Sequence, residues 1–96
     1  MTTFDWDEVK NEGNRTKHGV DFTTAQLVFD DPHHIAFVAN VVEGEERWTT
    51  IGLAEGMIVL FVVHTYREHP PDVNIRIISA RRATTHERKL YAQTIS

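Results

Sequence analysis

The sequence predicts an α+β domain with two N-terminal helices, a four-stranded antiparallel sheet and a C-terminal helix. Three observations carry this. Apolar residues recur at near-helical spacing as far as Phe29, the period falls to two after His33, and Thr84-x-x-Glu87 forms a capping box near the end of the chain. Helices first, strands next and a helix last, without βα alternation, is the pattern of helices packed on an antiparallel sheet.

Asp5 followed by Glu8 reads as a cap with an acid at the third helical position, opening a first helix over Trp6 to Lys17. That stretch is polar and contains Gly13, so its propensity is weak, and His18-Gly19 closes it. A second helix spans about Thr23 to Phe29, with Phe22, Ala25, Val28 and Phe29 toward a core, and Asp30-Asp31-Pro32 ends it. Ile35, Phe37, Ala39 and Val41 alternate along a first strand, Glu43-Gly44-Glu45 turns the chain, and Arg47 to Leu53 returns. After Ala54-Glu55-Gly56, the run Met57 to Thr65 is apolar on both alternating sets, as in a central strand covered on both faces. Glu68-His69-Pro70-Pro71-Asp72 reads as a stiff loop, and Val73 to Ala80 as the last strand. Short connections make these four strands an antiparallel meander, because a parallel crossover needs a dozen residues or more. The final helix runs from the Thr84 cap to about Gln93. Trp48, Phe37, Val59, Phe61 and Ile77 are expected in the core rather than as base-stacking platforms, which come as aromatic sets on one sheet face.

With 96 residues, 41% apolar and 25% charged, the chain reads as one domain over 1–96 with enough material for one small core. No cysteine is present, which removes disulfides, thiolate zinc sites and thiol nucleophiles. The first residues lack the basic and apolar regions of a signal peptide, and the longest apolar run, Met57 to Val63, is far short of the ~20 residues a bilayer requires. A cytoplasmic protein with no membrane partner is expected. Charge is unevenly spread: residues 1–72 carry five basic side chains against thirteen acids, net −8, whereas residues 73–96 carry five against one, net +4. Such asymmetry points to a partner of opposite sign, or to a basic end that neutralises its own acidic body.

The six histidines do not make a metal site by spacing. His33 and His34 would point to opposite faces of a strand, and His18, His64, His69 and His86 are scattered. Isolated glycines exclude a phosphate loop, and no hydrolase elbow occurs, so no cofactor and no metal are expected. What remains is the end of the two inner strands, where His64, Arg67, Arg76, Ser79, Arg81 and Arg82 would converge if those strands are neighbours. Arginine suits phosphate through a planar fork that keeps its proton. With a group that moves protons, such a cluster fits metal-free RNA cleavage by attack of the 2′-hydroxyl on its own phosphate. The candidate catalytic set is His64, Arg67, Arg76, Ser79, Arg81, Glu87 and Tyr91; His64 is the first proton carrier, and Glu87 and Tyr91 are the reserves. Lys17, Arg82, Arg88 and Lys89 are the candidate RNA-binding cations. Alternation sends His64 and Arg67 to opposite faces unless the strand bends between them.

Five runs carry a resemblance over Phe4 to Tyr91. They are Phe4-x-Trp6-Asp7-x-x-Lys10, Lys17-His18-Gly19-x-x-Phe22, Ala25-x-x-Val28-Phe29-Asp30-Asp31-Pro32, Arg47-Trp48-x-x-Ile51-Gly52, and Arg76-Ile77-Ile78-Ser79-Ala80-Arg81-x-Ala83-x-x-x-Glu87-Arg88. Together they resemble the BrnT toxins. The resemblance implies a ribonuclease toxin of a type II toxin–antitoxin module and a RelE-like fold. It further implies a partner resembling BrnA, a ribbon-helix-helix antitoxin through which operator DNA would be met only indirectly. Three readings follow: an endoribonuclease acting on free RNA, a non-catalytic co-repressor subunit bound to a DNA-binding antitoxin, and a ribosome-dependent cleaver. Growth arrest relieved by the antitoxin separates the first from the second; digestion of ribosome-free RNA separates the first from the third.

Overall fold

A computed structural model describes residues 1–95. The elements in chain order are strand β1 (Thr2–Trp6), helix α1 (Glu8–His18), helix α2 (Phe22–Ala25) running into a 3₁₀ helix (Gln26–Asp30), strands β2 (Ile35–Val42), β3 (Glu45–Ala54), β4 (Ile58–His69) and β5 (Asp72–Arg82), and helix α3 (Thr85–Gln93). The strands form one five-stranded sheet in the order β1-β5-β4-β3-β2. Three of its four pairings are antiparallel, and β1 lies parallel to β5.

This corrects the expected two N-terminal helices followed by four antiparallel strands: the chain opens on a strand, and the first helices lie between strands. The strand escapes local reading because it is short and its partner is distant, with Thr2 opposite Val73 and Trp6 opposite Ile77. Its alternation is nonetheless a strand's. Phe4 packs on Phe29 with ring centroids 5.4 Å apart, Trp6 meets Phe22 edge-on at 6.1 Å, and Asp5 points the other way to Arg76. The Asp5 cap is corrected with it, since Asp7 caps α1 and accepts from the Lys10 backbone N–H at 3.1 Å.

The four later strands form the expected meander, with longer members. β4 and β5 run to His69 and from Asp72, so the stiff loop shrinks to Pro70-Pro71 and Arg67 stands opposite Asn74. The β2–β3 turn is the Glu43-Gly44 pair, with φ of 50° and 79°, the doubly positive turn whose twist matches a hairpin. α3 begins on the predicted capping box, with Thr84 accepting from the Glu87 backbone and Glu87 accepting from the Thr84 backbone.

One face of the sheet carries the helices. Val20, Phe22, Ala25 and Val28 pack with Ala54, Leu60, Val62, Ile77 and Ala80 to form the core. α1 is tied down by asparagines instead of an apolar stripe. Asn14 donates to the carbonyls of Val20 and Ala80 at 2.8 and 2.7 Å and accepts from the Ala80 N–H, while Asn11 accepts from the Phe22 N–H at 2.8 Å. Both side chains are buried and bonded, which offsets the weak propensity of this helix.

β4 is central, but it is not covered equally on its two sides. Leu60, Val62 and His64 are buried beneath the helices, whereas Val59, Phe61 and Val63 on the other side are only half-buried. Of the five expected core residues, Ile77 is deep in the core; Trp48, Val59 and Phe61 are half-buried, and Phe37 is 42% exposed. No helix among the described residues is long and apolar enough to cross a membrane.

Candidate functional site

The less covered face of the sheet gathers most of the arginines. Side chains alternate along each strand, so the register decides which residues share it. On β4 these are Phe61, Val63, Thr65 and Arg67, which stand opposite Arg81, Ser79, Arg76 and Asn74 of β5. Arg76 and Ser79 are an odd number of residues apart and would face opposite ways in a regular strand. A bulge between Val63 and His64 leaves Ile78 without an opposite number and returns both to one face. On β3 the same parity adds Thr49 and Arg47, and on β2 it adds Phe37, which pairs with Thr49.

Arg81 is the most constrained of these cations. Its guanidinium lies over the Phe61 ring, 4.0 Å from the centroid, and grips Glu87 through two parallel hydrogen bonds of 2.7 and 3.0 Å. The hydrogen bonds from Arg81 hold the Glu87 carboxyl below the usual carboxylate range against the opposing effect of burial, and Glu87 in turn raises Arg81. Glu87 also accepts from the Thr84 N–H, so the helix cap positions the carboxylate. Arg76 pairs with Asp5 at 3.3 Å, and Arg67 reaches Glu45 at 3.9 Å. The Thr49 and Thr65 hydroxyls and the Arg47 Nε, all on this face, are buried without a hydrogen-bond partner among the described residues. Open polar capacity of this kind beside several guanidiniums suits an oxygen-rich ligand.

The remaining expected site residues lie elsewhere. His64 is on the helix side, fully buried, sharing a 2.7 Å hydrogen bond with the Thr50 hydroxyl and lying edge-on to Phe29 and Tyr66, each 4.9 Å away. Burial lowers its pKa to about 4, so it is neutral at pH 7. Tyr91 donates to Asp31 at 2.6 Å, and burial together with that bond raises it to about 12. Asp31 also accepts from the backbone of His33 and Leu53, joining the end of the 3₁₀ helix, β3 and α3. Lys17 ends α1 on the helix-covered side, and Arg82 has the parity of that side. Arg88 donates to the Ala83 carbonyl just before α3 and to the Thr85 hydroxyl in its first turn, and Lys89 is exposed on the same helix. Sequence reasoning missed Arg47, Thr49, Thr65, Phe61 and Phe37 as members of the arginine face. Their parity within each strand was readable, but the register that aligns the strands was not.

A family model described as "Ribonuclease toxin, BrnT, of type II toxin-antitoxin system" matches residues 6–87. Among solved structures, the chain is similar to the crystal structure of the Brucella abortus ribonuclease toxin BrnT. The two are 26% identical, with 88% of this chain and 99% of that chain covered and a TM-score of 0.57. No curated protein matches.

Proposed function

The chain belongs to the BrnT family of ribonuclease toxins of type II toxin–antitoxin systems, and from that premise we propose that it cleaves RNA without a metal on the arginine face of its sheet. The observation that carries the reading is that Arg67, Arg76, Ser79 and Arg81 share that face, with the Arg81–Glu87 pair at its edge. In the proposed reaction the RNA 2′-oxygen attacks the adjacent phosphorus and the P–O5′ bond breaks, leaving a 2′,3′-cyclic phosphate and a 5′-hydroxyl. The Glu87 carboxylate takes the 2′-hydroxyl proton, and water supplies one to the departing O5′. Arg81 and Arg76 offset the charge that gathers on the non-bridging oxygens, where fixed donors contribute most. Two Arg81 nitrogens serve Glu87, and the fork has donors to spare for phosphate.

His64 is left out of this step because it is buried on the opposite side of the sheet and already bonded to Thr50. We read the antitoxin of the module as a ribbon-helix-helix protein resembling BrnA, which brings operator DNA to the complex indirectly, and the site of action as cytoplasmic RNA. The resemblance supports the antitoxin reading.

The test is digestion of ribosome-free RNA by purified protein in the presence of a chelator. The parent is expected to yield 5′-hydroxyl ends. Arg81→Ala is expected to lose on the order of 10²–10³ in rate, Arg67→Ala to lose toxicity in cells, and both to melt like the parent. Parental cleavage by Arg81→Ala would sink the site assignment. A parent protein that binds antitoxin but cuts nothing would favour the co-repressor reading.

A further inference from the structure

The helix layer does not extend over the whole of its own face. It ends where Phe29 lies against His64, and beyond that point the next residues of the same parity are Trp48 on β3 and Tyr66 on β4. Their rings meet edge-on at 5.1 Å and form a wall of a cavity of about 400 Å³, whose rim is Gly44, Glu45, Glu46 and Glu68. Val38, opposite Trp48, and Val41, opposite Glu46, continue the apolar surface onto the edge strand β2 and are 42% and 60% exposed. Glu46 and Glu68 make no ion pair among the described residues, so their charge is available to a partner.

We propose that this pocket is the docking point of the antitoxin, and that its occupant is an arginine or lysine side chain on an antitoxin segment whose neighbouring residues are apolar. The inference rests on the toxin–antitoxin reading and assigns the partner a place on the side of the sheet opposite most of the arginines, meeting that face only at the rim, where Glu45 pairs with Arg67. Three features select that chemistry. Aromatic faces attract a cation, Trp most strongly. The two unpaired carboxylates complement it at the rim. The exposed valines of an edge strand accept the apolar flanks of an extended segment, which such an edge also invites through its free backbone groups. An anionic ligand such as RNA would be repelled here, so the two faces separate the two partners by charge.

The experiment measures antitoxin affinity by calorimetry for the parent and for Glu46→Lys, Glu68→Lys and Glu12→Lys, the last an equal change of charge on exposed α1. Each of the two pocket variants is expected to bind about tenfold or more weakly, as loss of a complementary charge at a closely packed contact does. Glu12→Lys should stay close to the parent, RNA cleavage by all free proteins should be unchanged, and the Trp48 indole N–H resonance should shift on saturation with antitoxin. Parental affinity in both pocket variants, or an unmoved Trp48 resonance, overturns the proposal. So does a parent that self-associates through this surface while the pocket variants bind antitoxin normally, which would make the occupant a second copy. Absence of RNA cleavage by the parent would overturn the proposed function and leave the affinity comparison intact.

Discussion

His64 shows how one side chain is decided by what surrounds it. As a sequence feature it sits at the end of an apolar run, three residues before an arginine, where a proton carrier would be useful. In the fold it is fully buried between Phe29 and Tyr66 with its Nε2 bonded to Thr50. Burial, with a smaller contribution from the nearby His34 and against a hydrogen bond with the Thr65 backbone, depresses its pKa from 6.5 to about 4. A base depressed on folding takes its proton first in the unfolded chain, so His64 leaves stability intact above pH 6.5 and removes it progressively as pH falls from 6.5 to about 4. The full loss is about 3 kcal/mol. His64→Gln should therefore flatten the parent's decline in unfolding free energy across that window, as read by urea titrations at several pH values. Its RNA cleavage should keep the parental rate and pH profile, because the proposed proton carrier is Glu87. An identical decline in both proteins would show that His64 does not titrate as described, and an altered cleavage profile would return it to the reaction.

At the scale of elements, the sequence was most legible where the signal is local. The Thr84–Glu87 capping box, the Glu43-Gly44 turn and the closing Gly19 each act within a few residues, and each stands where local chemistry puts it. β1 was not legible because its pairing with β5 spans some seventy positions, and the second helix tightens to 3₁₀ after Ala25 where periodicity alone predicts one helix. Nor can periodicity tell a strand covered on both sides from one whose second side is half-open, which is why the pattern places Phe61 in the core. On the candidate site, a common parity for Phe61, Val63 and Thr65 could be read from β4 alone. The bulge at Ile78, which brings Arg76 and Ser79 together, could not. Gly52 has a reason that only the packing reveals. A Cβ there would lie 3.0 Å from both the Cβ and the carbonyl oxygen of Val28 and 3.1 Å from the His34 Cβ. The carbonyl belongs to the 3₁₀ helix and cannot swing aside, so β3 and that helix would be forced apart. Gly52→Ala should cost about 1–3 kcal/mol, the usual range for overpacking, with an unchanged denaturant slope. Parental stability would mean that the 3₁₀ helix is free to shift.

For the molecule as a whole, the sheet divides charge as well as space. The asymmetry along the chain becomes an asymmetry across the fold: Arg47, Arg67, Arg76 and Arg81 share one face, while Glu46 and Glu68 have the parity of the other. Lys17 lies with the helices on that second side, although it is more exposed than Arg47, Arg76 and Arg81. Net charge alone, −4, argues weakly against an RNA ligand; the field on the arginine face argues for one, because clefts of one sign concentrate ligands of the other within a Debye length. Each phosphate neutralised on single-stranded RNA contributes about −0.7 to the slope of log affinity against log salt. Binding of a short RNA with a non-cleavable 2′-deoxy linkage should therefore become shallower by roughly that amount in Arg76→Ala. The same titration with Lys17→Ala should follow the parent's slope. If Lys17→Ala flattens the slope as much as Arg76→Ala does, the RNA path crosses to the helix side and the two-faced division of partners fails.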